Sequence, residues 1–391
     1  MIPIAQPFLG TEEAEAASAA VLSGWLSQGP QVAAFEAEFA EYVGAAYACA
    51  VSNCTTALHL ALLGLEIGPG DEVITVSHSF IASANAIRQC GGVPVFVDVA
   101  PGTYNIDPAE IARAITHRTR AILCVHQIGM PCDLAGVMAV ARPLGIPVIE
   151  DAACAIGSEI RIDGQWVRIG VPVGDVACFS FHPRKVITTG EGGMLTTSDP
   201  ELDRKFRLWR QHGMSVSDTK RHSSASVIFE DYPVQGYNYR MTDIQAAIGR
   251  QQLKRLPDIL SRRRALAARY HALLADVEGI TPPQEPEWAR SNWQSYCVAL
   301  DAGLDQVRIM QSMLDQGIAT RRGIMCIHLE DAHADLPRRH PLWESERARD
   351  HSILLPLYAQ MTDEVQDRVV AALRDAILSC RNLKQAVGEP A

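Results

Sequence analysis

An α/β fold is predicted, with a large doubly wound domain on a mainly parallel sheet and a smaller α/β domain toward the C-terminal end. Two observations lead there. Between residues 46 and 197, seven short runs rich in β-branched and apolar residues alternate with amphipathic helical patterns. Strands joined through helices return to the same edge of a sheet and so run parallel, with helices covering both faces. Further along, a Pro/Glu-rich break at 281–286 separates a long helical pattern from a second α/β stretch. The 391 residues suffice for two or three domains.

The seven runs lie at 46–51, 72–76, 94–98, 121–126, 147–151, 176–181 and 193–197, and helical patterns fill 55–65, 79–89, 108–115 and 133–144. Gly68-Pro69-Gly70-Asp71, Gly91-Gly92-Val93-Pro94 and Gly145-Ile146-Pro147 mark turns back into strands, because Gly and Pro interrupt the helical period. A helical pattern from Met241 to about Ala275 links a large domain, 1–255, to a small one, 256–391. The small domain carries a strand at 293–300 and helices near 304–316 and 362–378. The run Arg262-Arg263-Arg264 in the linking helix reads as a solvated face.

Lys plus Arg number 35 against 45 Asp plus Glu, a net charge of −10. That balance excludes the basic stripe of a nucleic-acid binder. Hydrophobic residues at 48% and charged ones at 20% are ordinary for a globular chain. Apolar runs such as 57–65 are too short to span a bilayer, and the first residues lack a basic, then apolar, leader. A cytoplasmic protein with no membrane partner is expected. The ten cysteines are scattered without a C-x-x-C pair and the histidines without H-E-x-x-H spacing, so neither a disulfide framework nor a metal is expected.

In a doubly wound sheet, ligands sit beyond the carboxyl ends of the strands, and three such ends carry chemistry. Residues 51–59 lead from a strand through Thr55 and Thr56 into a helix, whose first N–H groups suit an anion; a plain helix cap is the alternative. Residues 148–155 place Asp151 at the end of an apolar strand, where a carboxylate needs a partner. It is either a cap or the counter-ion of a cationic ring nitrogen. Residues 179–193 run from Ser180 through Pro183 to Lys185 in a loop rich in Gly and Thr. Anion cradle, strand-end Asp and loop Lys together make the kit for pyridoxal phosphate.

The sequence resembles the DegT/StrS family of fold type I, pyridoxal-phosphate-dependent aminotransferases, which aminate nucleotide-linked keto sugars. The resemblance extends from GWLSQG (24–29) to the helix near 378. It rests on SNCTTALHLAL (52–62), EDAA (150–153), FSFHPRK (179–185), TGEGGM (189–194) and GYNYRMTDIQAA (236–247). It implies that Lys185 is the Schiff-base lysine and proton shuttle and that Asp151 keeps the pyridine nitrogen protonated. Thr55, Thr56 and Ser180 would bind phosphate and Phe80 would stack on the ring. Asn238 would reach the phosphate of the neighbouring subunit, making a homodimer with shared active sites. Cys154 stands where many members carry Gln near the ring oxygen, and Arg184 replaces a frequent Thr. Trp25, Gln28, Tyr239, Arg322 and His328 fall in segments that line the substrate side in relatives, and His182 is a further candidate. Arg240 and Arg322 would suit a diphosphate or carboxylate. The implied reaction passes an amino group from an amino acid, usually glutamate, to a keto sugar. A keto-cyclitol acceptor or a non-catalytic regulatory role are the alternatives; a dehydratase of this fold would carry His in place of Lys185.

Overall fold

The computed structural model describes residues 1–216, 221 and 224–387. Helices α1 (Thr11–Leu22) and α2 (Pro30–Val43) precede the large sheet. Its strands are β1 (Tyr47–Val51), β2 (Glu72–Val76), β3 (Val93–Val97), β4 (Thr119–Val125), β5 (Val148–Asp151), β8 (Val176–Ser180) and β9 (Gly193–Thr197). A hairpin of β6 (Glu159–Ile162) and β7 (Gln165–Arg168) is set between β5 and β8. The spatial order β1-β9-β8-β5-β4-β2-β3 leaves β9 alone antiparallel to its neighbours, so six strands point the same way. Every residue of β2, β5 and β9 is buried, so these strands carry no polar-out alternation, and the polar groups they do hold, such as Glu72, Glu150 and Asp151, are buried with them.

Four crossover helices, α3 (Cys54–Gly64), α4 (Ala82–Gln89), α5 (Pro108–Ala114) and α6 (Leu134–Ala141), and α7 (Pro200–Trp209) after β9, complete this unit. Asn53 caps α3, accepting the Thr56 N–H at 2.9 Å, and the Thr56 hydroxyl returns to the cap. Strand β9 packs directly on that cap. A Cβ at Gly193 would lie 2.5 Å from the Asn53 carbonyl, so only glycine fits there.

Sequence periodicity did not reveal α1, α2, α7 or the hairpin, and long-range polar contacts explain part of that. Glu13 in α1 is buried against Arg255 and Gln252. Glu36 in α2 meets Arg207 and Arg210 beneath β1, and both guanidiniums also donate to β1 carbonyls. A buried carboxylate between two arginines does not look like an apolar stripe.

Helix α8 (Asp243–Leu274) carries the chain between two cores. Leu253, Leu256, Ile259 and Leu260 pack with the large sheet; Leu266, Ala267, Tyr270 and Leu274 pack with the C-terminal unit. The Arg262–Arg264 run is not the solvated face expected. Arg263 is buried and donates to the carbonyls of Trp293, Gln294 and Leu357, and Arg264 to those of Ser291 and Gly157. Charge density marked this run, but the carbonyls that take its hydrogen bonds come from distant segments.

The small domain is an antiparallel sheet in the order β10 (Ile280–Thr281), β12 (Tyr296–Leu300), β14 (Ser352–Leu355), β13 (Arg321–Arg322). Helices α9 (Gln306–Asp315), α10 (Trp343–Asp350) and α11 (Asp363–Val387) accompany it, and β11 (Ala289–Arg290) extends the β6–β7 hairpin instead. Ile2 bridges to Ile318 and is buried in this second core, so the first residues of the chain pack with the C-terminal unit.

Candidate active site

The carboxyl ends of β1, β2, β4, β5 and β8 open on a cavity of about 1000 Å³, closed on the far side by Ile4, Gln294, Ser295 and the β13 strand. The sheet order explains the convergence. With β1, β9, β8 and β5 side by side, the α3 start, Ser180 and Asp151 come from neighbouring positions along one sheet edge.

Lys185, Asp151, Thr55, Thr56, Phe80, Cys154, Ser180, His182, Tyr239 and Arg322 all line this cavity. Asp151 is buried. It accepts the Ser83 hydroxyl at 2.9 Å and the Ala153 N–H at 3.2 Å. Burial pushes its carboxyl above the usual Asp range, and those hydrogen bonds and the charge on Lys185 only partly offset that. Such a carboxylate, unpaired by any salt bridge among the described residues, is primed for a cationic partner.

The Lys185 ammonium donates to Cys154 Sγ at 3.0 Å. Burial pulls its pKa down, but the Cys154 sulfur, with Cys54 and Asp151, outweighs burial and leaves it raised. The thiol, a departure from the commoner Gln, therefore touches the lysine itself. His182 Nδ1 accepts the Arg184 N–H at 3.2 Å, and burial draws its pKa below the usual imidazole value. Tyr239 bonds His59 Nδ1 at 3.1 Å and stacks on Tyr237.

Five expected residues do not line the cavity. Trp25 and Gln28 sit before α2, in a loop fixed because Asp243 accepts the N–H groups of Gly29, Gln31 and Val32. Asn238 is exposed and bridges Gln211, while the Arg240 backbone bridges Val51. His328 is buried between Ser77 Oγ at 2.6 Å and Glu346 at 3.0 Å, which spends both ring nitrogens. Ser83, Gln294 and Arg321 went unmarked in the sequence. Ser83 reaches Asp151 across 68 positions and Gln294 reaches the Arg184 carbonyl across 110, so no local pattern announces either.

The donor set fits pyridoxal phosphate. The opening turn of α3 with Thr55, Thr56 and Ser180 has hydroxyls and N–H groups that suit a phosphate, and the buried Asp151 carboxylate would suit a ring cation. Phe80 leaves an apolar ring 64% exposed on the cavity wall. Among the described residues no group of three His, Cys, Asp or Glu side chains is arranged to hold a metal.

Residues 7–374 match the model of the DegT/DnrJ/EryC1/StrS aminotransferase family. The chain belongs to that family. It is 39% identical over 381 residues to the GDP-perosamine synthase of Caulobacter vibrioides, covering 96% of this chain and 98% of that one. It is 38% identical over 388 residues to the spore coat polysaccharide biosynthesis protein SpsC of Bacillus subtilis, covering 96% and 97%. A Streptococcus pneumoniae protein solved in its PLP form superposes with a TM-score of 0.88 at 27% identity, over 97% of this chain and 99% of that one. This DegT/StrS protein is a pyridoxal-phosphate-dependent aminotransferase of fold type I.

Proposed function

We propose that this aminotransferase moves an amino group from an amino acid, L-glutamate in the first instance, to the carbonyl of a nucleotide-linked keto sugar. The observation that carries the reading is the convergence of Lys185, Asp151 and the α3 start on one cavity, in a chain similar along its length to a GDP-perosamine synthase. When bound, pyridoxal phosphate supplies an electron sink for the donor's α-carbon. Thr55, Thr56, Ser180 and the first α3 amides would hold its phosphate, Phe80 would lie against the ring, and Asp151 would keep the ring nitrogen protonated. Lys185 would hold the cofactor through Nζ, and its amine, when free, would take a proton from the donor's α-carbon and return one. Transamination assays with labelled glutamate against keto sugars and keto-cyclitols test the reading. Sugar turnover supports it; cyclitol turnover alone replaces the acceptor class.

The active unit is a homodimer with shared sites. Phe229 at 89% exposed, with Val227 and Tyr232, leaves apolar surface on the segment leading to Asn238, itself exposed and outside its own cavity. Mixing inactive Lys185→Ala subunits with inactive Asn238→Ala subunits should restore about a quarter of wild-type sites, since half the dimers are hybrids with one intact site. No recovery on mixing would rule out shared sites. A large domain of residues 1–255 and a small one of 256–391 are supported by the two cores along α8, Leu253, Leu256, Ile259 and Leu260 packing in one and Leu266, Ala267, Tyr270 and Leu274 in the other. The protein works in the cytoplasm: its ten cysteines are free thiols, and among the described residues no helix is long and apolar enough to cross a membrane.

A further inference from the structure

We propose that Arg184 and Arg321 together form a subsite for a substrate oxyanion in the cavity, a pairing that rests on the reading of this cavity as the active site. Arg184 precedes Lys185 on the turn after β8, and Arg321 lies on β13 of the small domain. Both line the cavity and both are exposed. No ion pair with a carboxylate engages either among the described residues, whereas the neighbouring Arg322 faces Glu330 at 3.8 Å.

The two guanidiniums feel each other. Partial burial, and then the charge on Arg184, draw the Arg321 pKa below its ordinary value. Two cations on the wall of one cavity gain most from an anion that both can reach.

Both backbones are held. The Arg184 carbonyl accepts the Gln294 side-chain amide and its N–H donates to His182, while Arg321 pairs with Leu354 in the small sheet. The guanidiniums thus start from fixed mounts, which lowers the ordering cost of binding. Charge on the cavity wall agrees. Arg184, Lys185, Arg321 and Arg322 stand against Asp151 and Glu191, a cationic excess in a chain whose net charge is −10.

The chemistry called for is a carboxylate or phosphate that two planar forks can grip. Two sources supply it: the carboxylate of the amino-acid donor and the phosphate of a nucleotide-linked acceptor. Because the forks come from different domains, the bound oxyanion would also tie the small domain to the large one.

Calorimetric titration of the cofactor-loaded enzyme with glutarate, and separately with inorganic pyrophosphate, tests this without turnover. Wild type should bind at least one probe, less tightly as salt rises. Arg184→Gln and Arg321→Gln should each weaken that binding about tenfold or more, the worth of one charge-assisted contact. Arg184→Lys, which keeps the charge but loses the fork, should fall between. Glutarate as the affected probe assigns the subsite to the donor carboxylate; pyrophosphate assigns it to the acceptor phosphate. No binding by wild type, or both Gln variants within about twofold of it, overturns the subsite. Borohydride trapping of the cofactor on Lys185 in the same preparations reports separately on the aminotransferase reading.

Discussion

Asp151→Asn should separate chemistry from stability. In the folded protein the carboxylate is buried, meets no cation in a salt bridge among the described residues and accepts two hydrogen bonds, from Ser83 and Ala153. An Asn of the same shape can accept the Ala153 N–H with its oxygen and donate its amide N–H to the Ser83 hydroxyl, reversing that bond, at a cost of roughly 1 kcal/mol. Removing a buried, unpaired charge returns about as much, or more. The sign follows from the raised folded-state pKa. Stability attached to Asp151 is greatest below its unfolded pKa and falls as pH rises through the folded value. The cofactor-free Asn variant should therefore match or exceed wild type at pH 7 in urea unfolding, and lose that advantage toward pH 4. Turnover should nevertheless drop by about 10²–10³-fold, the usual effect of removing a preorganised electrostatic partner. A variant less stable by more than about 2 kcal/mol would show that Asp151 serves the fold. Near wild-type turnover would show that it does not serve the chemistry.

Glu36→Gln leaves the Arg207 and Arg210 guanidiniums without their shared counter-ion and should cost about 3–5 kcal/mol in urea unfolding. Burial would raise the Glu36 pKa, but the two arginines outweigh it and lower it. Wild type should accordingly lose this stability as pH falls below the ordinary Glu range, while the Gln variant shows no such slope. Arg263→Ala strands three carbonyls in a buried site, although it also relieves the burial that pulls the Arg263 pKa down to about 10. The net expectation is a loss of about 2–4 kcal/mol with a raised substrate KM, because Gln294 lines the cavity; a loss under about 1 kcal/mol would refute it. Cys154→Ala removes the sulfur that helps raise the Lys185 pKa. Cofactor loading of the apoprotein, followed by its visible absorbance, needs the neutral amine and should rise with pH at a lower pH than in wild type. An unchanged profile would mean that the thiol does not set the lysine's protonation.

The large sheet was legible because strands buried on both faces carry short β-branched and apolar runs without polar alternation. All seven expected runs became strands with ends shifted by no more than two residues. Asp151 stood out because a carboxylate at the end of an apolar strand is costly unless it has a partner, and Thr55 and Lys185 because a helix start and a Gly/Thr-rich loop join it in one kit. The Arg262–Arg264 run misled for the converse reason. Arg263 is satisfied by carbonyls near residues 293 and 357, contacts that no window around α8 contains. Gln294 and Arg321 were hidden in the same way, since each acquires its place only when the small domain closes over the sheet.

Local chemistry along the chain thus determined the strands, the mainly parallel run of the sheet and the polar residues waiting beyond the strand ends. Which ends became neighbours was decided only in three dimensions. Strands β1, β9, β8 and β5 lie side by side although β1 is far from β9 along the chain and β6 and β7 intervene between β5 and β8, and that order sets Thr55, Ser180 and Asp151 around one cavity. Hydrophobic period reports what each segment must bury. Strand order instead follows from how crossovers of fixed hand can bury every segment at once, a condition on the whole chain.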